Sequence, residues 1–434
     1  MAAGGVRGGV AVSAPRVLHV VESWRPVPSG YASRSWWIIE CQARLGLSRP
    51  VVAVSSRQRV YGENGAEALT VGGVDVPVER LPETAVEARL RGAGRPFHLD
   101  AGAAARGIAR LCEAHGAEAI HAHWSSGLGM AAAVAARRLG LPLVAEVRFD
   151  LAGAATAQKR AGVAGVAGRV PGAERLMRRW FERHLPFAAA VGAASEALAT
   201  LLRREMPGVT AKLTVVPNGV TDALLASCDA AEPVGRVSPP DRLVIGTTAK
   251  MLRYENLGAL LEVLRRVPAA DACFIGDGPE RAALEAEAAP LNAQRPGRVT
   301  FAGRVPAAEI PARLAALDVF VVPRAELTIT RYASPIKVVE AMAAGLPVVA
   351  TPVGDTASLL ADGRGVLVPT GDDAALAEAV AALADEPGRR AVLGAAARAY
   401  AADTLRGDAL LSRYGPVYAA VLRGAPAPEG VSAS

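Results

Sequence analysis

The sequence predicts an α/β fold: two doubly wound, Rossmann-like domains with the ligand cleft between them. Three observations carry this. Short β-branched runs alternate with helical segments, which implies right-handed crossovers and a parallel sheet covered on both faces. The alternation stops at a proline-rich stretch, 228–241, and then restarts. The 434 residues also exceed what one hydrophobic core organises, so two or three domains are expected.

In the first half, Val17–Val21 follows Pro15 as a strand, and the loop 23–31 carries Pro26, Pro28 and Gly30. A helix is expected from Arg34 to Leu45, where Gly46 stops it. Pro50–Ser55 is the second strand, and 71–80 reads as short edge strands. Helix 100–115, strand Ala119–His123, helix Gly127–Leu139 and strand Leu143–Val147 continue the rhythm. Residues 151–172, rich in glycine and alanine, break it as a mobile loop or frayed helix. An arginine-rich helix, Glu174–His184, comes next, then a strand near Val191, a helix 195–204 and the strand Leu213–Val216.

The second half reads as strand Leu243–Gly246, helix Leu257–Arg266, strand Ala272–Ile275, helix Glu280–Ala288 and strand Val299–Phe301. Helix Ala307–Leu317, strand Val319–Val322, helix Pro335–Ala344 and strands Pro347–Ala350 and Gly365–Val368 follow, with helices to Arg423. The domains are therefore 1–232, 242–403 and a last segment, 404–434, whose helix returns to the first domain ahead of a disordered tail.

Apolar residues at 51% and charged residues at 21% exclude a disordered protein. Lys+Arg 48 against Asp+Glu 42 leaves +6, a mild excess that suits a phosphate-bearing ligand or an acidic membrane surface and falls short of a nucleic-acid binder. Cys41, Cys112, Cys228 and Cys273 lie far apart with no CxxC, which argues against zinc or a disulfide framework and for a reduced, cytoplasmic setting. Residues 1–15 lack the continuous apolar core of a signal peptide, and the most apolar stretch, 130–147, is interrupted by Arg137 and Arg138.

The strongest local signal is Ser334–Val349, SPIKVVEAMAAGLPVV. Pro335 suits a first helical turn because its missing N–H costs nothing there. The amides of Ile336 and Lys337 would then face an anion with the helix dipole behind them. Glu340, one turn on, suits a ribose diol; alone, the same residues also fit an ordinary αβ unit. His121 and His123 end a strand on one face, with His123 nearer the cleft. Such a histidine holds a sugar hydroxyl or moves a proton, or it is bonded to backbone at a strand end. Two histidines at this spacing could also suggest a metal, but no third ligand is expected nearby, so no metal is assigned. Arg148 and Asp150 share a face at the next strand end, as acceptor ligands or as a structural ion pair. Gly30 permits close backbone approach to a substrate. The helix Glu174–His184 sets Leu176, Trp180 and Phe181 against four arginines, the pattern of an anionic-membrane contact or of a domain helix with a solvated face.

Taken in order, Val216–Val220, Phe274–Pro279, Phe301–Arg304, Glu340–Gly345 with Pro347–Val349, and Gly354–Gly363 resemble the retaining glycosyltransferases of family 4, which have the GT-B fold. The likeness covers nearly the whole chain. Tyr254-Glu255 and Ser334–Lys337 look most like a branch associated with exopolysaccharide and exosortase gene clusters. The resemblance implies a nucleoside diphosphate sugar held by the second half and an acceptor over the first. Lys250 matches the family's basic residue after the first strand of the second half, and Glu340 the second of its two glutamates. Two departures stand out: Glu255 occupies the place of a further lysine, and Tyr332 that of the first glutamate, with Arg331 beside it. Arg253, Arg331 and Lys337 are near enough in sequence to supply the missing charge. The family likeness further implies Gly276 in a tight turn near the donor, backbone at Arg304 and Val305 reading the base, Ser334 in the donor loop, and His123 at the reacting sugar.

The expectation is a cytoplasmic glycosyltransferase, free of metal and cofactor, whose acceptor is a glycan, a lipid-linked glycan or a small natural product. Peripheral contact with the inner face of a membrane remains open, and no nucleic-acid partner is expected. A non-catalytic nucleotide-sugar binder or partner subunit and a sugar-nucleotide 2-epimerase are the rivals. An NAD-dependent oxidoreductase lacks its GxGxxG after Val21.

Overall fold

A computed structural model describes residues 14–422 except 28, 57, 59–67, 72, 93–100, 125, 149–172, 237, 240 and 241. The first half holds β1 (Arg16–Val21), β2 (Arg49–Val54), β3 (Leu69–Val71), β4 (Val74–Val76), β5 (Val78–Arg80), β6 (Ala119–Trp124), β7 (Leu143–Val147), β8 (Ala190–Ala193) and β9 (Leu213–Val215). Seven of these form one sheet in the order β5-β2-β1-β6-β7-β8-β9, and β3-β4 make a separate hairpin. The second half holds β10 (Leu243–Lys250), β11 (Ala270–Asp277), β12 (Val299–Gly303), β13 (Val319–Val322), β14 (Val348–Ala350) and β15 (Val366–Leu367). Their order is β12-β11-β10-β13-β14-β15.

All pairings in both large sheets are parallel, for example β1 with β6 and β10 with β13. Parallel strands covered on both faces read as unbroken apolar runs, and every residue of β6 and β7 is buried. Each sheet reverses its winding at one place, between β1 and β6 and between β10 and β13, which opens a crevice beyond the strands' carboxyl ends.

The sequence expectations shift at a few boundaries for local reasons. The first helix spans Gly30–Arg44, starting ahead of Arg34, because the Ser29 hydroxyl accepts from Ala32 N at 3.1 Å and caps it. Gly30 is thus the first helical residue and not a loop residue. The 71–80 stretch divides into part of the β3-β4 hairpin and β5, which pairs parallel with β2. Helices Ala85–Gly92, Asp222–Asp229, Thr328–Arg331 and Thr356–Leu359 are additional. The expected loop 151–172 and tail 423–434 lie outside the described residues.

The chain crosses between halves twice, side by side. Val220 N donates to Leu405 O and Gly407 N to Val220 O, both at 2.8 Å. Arg406 pairs with Asp222 at 2.8 Å beside them. The last helix, Tyr414–Leu422, then packs on the first half: Tyr414 OH donates to Glu146, and Tyr418 OH to Gln42 Oε1 at 2.9 Å.

Candidate functional site

The carboxyl ends of β10, β11, β12 and β13 share one edge of the second sheet, and the helix Ile336–Ala343 starts at that same edge after β13. Pro335 precedes it in an extended conformation. The amides of Ile336 and Lys337 have no acceptor among the described residues, an arrangement open to an anion. A side chain at Gly30 would touch Ile336 Cγ2, so the start of the first helix, on the first half, meets the start of the Ile336–Ala343 helix on the second. The carboxylate of half-buried Glu340 has no hydrogen-bond partner among the described residues. Burial raises its carboxyl to about 7 against the pull of Lys337.

Lys250, at the end of β10, and Arg304, just past β12, are exposed and close enough to feel each other. The surrounding protein and then Arg304 lower the Lys250 ammonium from the usual lysine range. Lys250, Arg253 and Arg304 have no ion-pair partner among the described residues. Gly276 (φ +132) has no room for a Cβ against the carbonyl of Ala249 on β10, so its glycine is a requirement of the sheet edge. Val305 is half-buried against the core.

The other cations expected at the phosphates are occupied. Lys337 Nζ bonds Glu255 Oε2 at 2.8 Å, and Arg324 grips both oxygens of the same carboxylate at 2.9 and 3.0 Å. Burial would raise the Glu255 carboxyl, but Arg324 and Lys337 hold it at about 2. Glu255, where a family lysine would stand, is therefore buried and faces Lys337 instead of the cleft. Arg331 is exposed and pairs with Glu326 at 3.0 Å. Of the three cations expected to replace that lysine, Arg253 alone is unpaired among the described residues. Tyr332 packs against the core of the opposite half, and its carbonyl accepts from Ser195 Oγ at 2.9 Å. The Ser334 carbonyl accepts from Asn218 Nδ2 at 2.7 Å, while the buried Ser334 hydroxyl faces the Asp355 carboxyl.

On the first half, β1 pairs with β6 so that His19 lies beside His121. His19, His121 and His123 are all buried, and their nearest ring nitrogens lie within 4.8 Å of one another. The expectation that no third imidazole lies near His121 and His123 is corrected by the sheet: His19 comes from the neighbouring strand, and its place inside an apolar run masked it. The trio has a metal site's composition, and His19 Nε2 and His121 Nε2 are buried without a partner among the described residues, yet the hydrogen bonds of His123 disfavour its joining an ion. Arg148 only donates, and its Nη2 meets His123 Nδ1, so the His123 proton sits on Nε2. That N–H points to His19 Nδ1 at 3.1 Å, and a protonated nitrogen has no lone pair for an ion. His121 Nδ1 lies 2.7 Å from Tyr418 OH. Burial, with Arg148 and Arg34 nearby, lowers His121 to about 3, so the ring is neutral.

His123 is thus placed at the cleft end of β6 with both ring nitrogens occupied; a sugar contact through its ring requires one of these bonds to open. Arg148 is buried, donating to Tyr31 O at 2.8 Å and Ser35 Oγ at 3.0 Å, and burial lowers its guanidinium to about 10. It shapes the cleft floor from within, and Asp150 lies outside the described residues. Arg34 joins Glu146 Oε1 at 2.8 Å and Asn218 Oδ1 at 2.9 Å. Asn218 belongs to a motif visible in the sequence, but nothing local to it signals a contact with Ser334, 116 residues away.

Comparison with known proteins agrees with this arrangement. Residues 29–219 match the family described as glycosyl transferase 4-like domain, and 242–386 the family described as glycosyl transferases group 1. A 2-deoxystreptamine glucosyltransferase of Streptomyces kanamyceticus is 30% identical over 179 residues, spanning 39% of this chain and 44% of that protein. Among solved structures, HepE of Anabaena in complex with UDP and glucose superposes with a TM-score of 0.66 at 18% identity, over 93% of this chain and 99% of that one. Sucrose-phosphate synthase of Thermosynechococcus elongatus gives 0.71 at 17% identity, over 95% and 100%. The chain is thus a tandem of two glycosyl transferase domains, the 4-like one ahead of the group 1 one, in the GT-B fold.

Proposed function

We propose that this protein transfers a sugar from a nucleoside diphosphate sugar to a hydroxyl or amine acceptor, with retention at the anomeric carbon. The observation that carries the reading is the pairing of free amides at Ile336 and Lys337 with an unpartnered carboxylate, Glu340, one turn away. Pyrophosphate fits the first and a ribose diol the second. Lys250, Arg253 and Arg304 add positive charge at the same sheet edge, where the leaving diphosphate gains negative charge. The chemistry needs no cofactor, and these cations take the part a metal ion would otherwise play.

His123 lies beneath the reacting sugar, with His19 and Arg148 fixing its ring. Attack from the face the diphosphate leaves retains the configuration, and closure of the halves keeps water from the donor. Neighbouring structures hold UDP, UDP-glucose or UDP with glucose, which supports a nucleotide-sugar donor. The acceptor is a glycan, a lipid-linked glycan or a small natural product. For a lipid-linked one, the helix Ala173–His184 offers a surface: Phe181 meets Trp124 edge-to-face, ring centres 5.8 Å apart, while Trp180 stays 43% exposed among Arg175, Arg179 and Arg183. Phe187 is likewise exposed, under Arg137 at 4.0 Å. Among the described residues no helix is long and apolar enough to cross a membrane.

A thermal-shift panel of UDP, GDP and ADP tests the donor. Each tenfold excess over Kd stabilises by about 1.4 kcal/mol. At least one nucleotide should shift the wild type, and Lys250→Ala should reduce that shift; no shift by any of them defeats the reading. Binding without turnover across nucleotide sugars and acceptors would instead favour the non-catalytic binder, a reading helped by the engagement of Lys337 with Glu255.

A further inference from the structure

The loop that presents the donor helix is fastened to the opposite half at three consecutive points. Tyr332 packs against the first half's core, the Tyr332 carbonyl accepts from Ser195 Oγ, and the Ser334 carbonyl accepts from Asn218 Nδ2 at 2.7 Å. Asn218 is itself buried and held: its Oδ1 accepts from Arg34 Nη1 at 2.9 Å, and Arg34 is fixed by Glu146 and by the Val216 carbonyl. Glu146 also accepts from Tyr414 OH on the last helix. Asn218 stands two residues before Val220, where both chain crossings run side by side. A rotation of one half about those crossings moves Asn218 little and Ser334 more, so this bond registers the angle between halves.

We propose that Asn218 is a positioning residue for the donor loop, coupling the hinge to the start of the helix that faces the donor. The relay Tyr414–Glu146–Arg34–Asn218–Ser334 holds the loop carbonyls toward the first half and leaves the Ile336 and Lys337 amides for the ligand. Its consequence for catalysis rests on the donor reading above; the loop restraint itself is testable without ligand.

Asn218→Asp is the sharpest variant. It keeps an oxygen for Arg34 and replaces the N–H facing Ser334 O by a second oxygen, which repels that carbonyl. Glu146 offsets only one of the buried guanidiniums Arg34 and Arg148, so the new carboxylate balances charge and the fold is expected to survive. Asn218→Ala, which deletes both bonds, is the second variant. In the ligand-free protein, hydrogen exchange at the protected amides of Arg331, Ala333 and Val338 should quicken by about tenfold, the worth of one hydrogen bond, while β10 amides stay unchanged. Whichever nucleoside diphosphate binds the wild type should bind Asn218→Asp about tenfold more weakly, raising KM more than it lowers kcat. Acid should relieve the defect, because a protonated carboxyl regains a donor for Ser334 O. Unchanged exchange at those amides in a folded variant overturns the proposal, as does failure of both variants to fold, which would make Asn218 purely structural. If the wild type binds no nucleotide, the proposed function fails while exchange still decides this inference.

Discussion

Replacing Glu340 by glutamine should make the empty protein more stable and the nucleotide complex weaker. The carboxyl is half-buried with no partner among the described residues, and burial moves it from 4.5 to about 7. That displacement corresponds to about 3 kcal/mol, trimmed to about 2 kcal/mol by its remaining contact with water. An acid whose folded pKa is raised adds stability below its unfolded value and loses it as pH climbs through the folded value. The wild type should therefore lose this contribution between pH 4.5 and about 7. At pH 8, Glu340→Gln should melt about 4–8 °C higher, with a flatter dependence on pH. A charged hydrogen bond to a ribose hydroxyl is worth about 1.5–3 kcal/mol, so titration calorimetry should show roughly 10- to 100-fold weaker nucleotide binding. A lower melting temperature at pH 8, or unchanged affinity, would refute the claim that this carboxylate is held unpaired for a ligand.

Other outcomes follow from the same geometry. Glu255→Ala strands Arg324 and Lys337 in a buried site and should cost about 3–5 kcal/mol in denaturant unfolding; a loss under about 1 kcal/mol contradicts the triad. Because its partners depress the Glu255 carboxyl to about 2, that contribution is present above the ordinary carboxyl value and disappears as pH falls toward 2, which acid unfolding of wild type against Glu255→Gln can measure. Gly276→Ala should destabilise by several kcal/mol, about 1–3 kcal/mol from φ alone, and a fully stable variant would show the sheet edge is not as tight as described. Equilibrium dialysis against zinc should leave the His19, His121 and His123 cluster without stoichiometric metal, and tight binding lost in His19→Ala would reverse the tautomer argument.

The fold was legible because two physical signals repeat: apolar strands that need cover on both faces, and helices of a length to give it. The donor helix was legible because Pro335, Lys337, Glu340 and Gly345 fall within one short segment. What escaped depends on separation in sequence. His19 reads as one polar residue in an apolar strand until β1 lies beside β6. Glu255 reads as a lost cation site until Lys337 and Arg324, 82 and 69 residues on, are brought to it. Tyr332 reads as a missing acid, whereas it serves the contact between halves. Boundary shifts have smaller causes, such as the Ser29 cap that lengthens the first helix.

The central claim is that a diphosphate sits on the amino end of the helix Ile336–Ala343. Backbone amide resonances report this directly when the protein is titrated with the nucleoside diphosphate that stabilises it. Ile336 and Lys337 should move the furthest and saturate together with Lys250 and Gly276. Saturable binding that leaves the Ile336 and Lys337 amides unmoved would contradict the account.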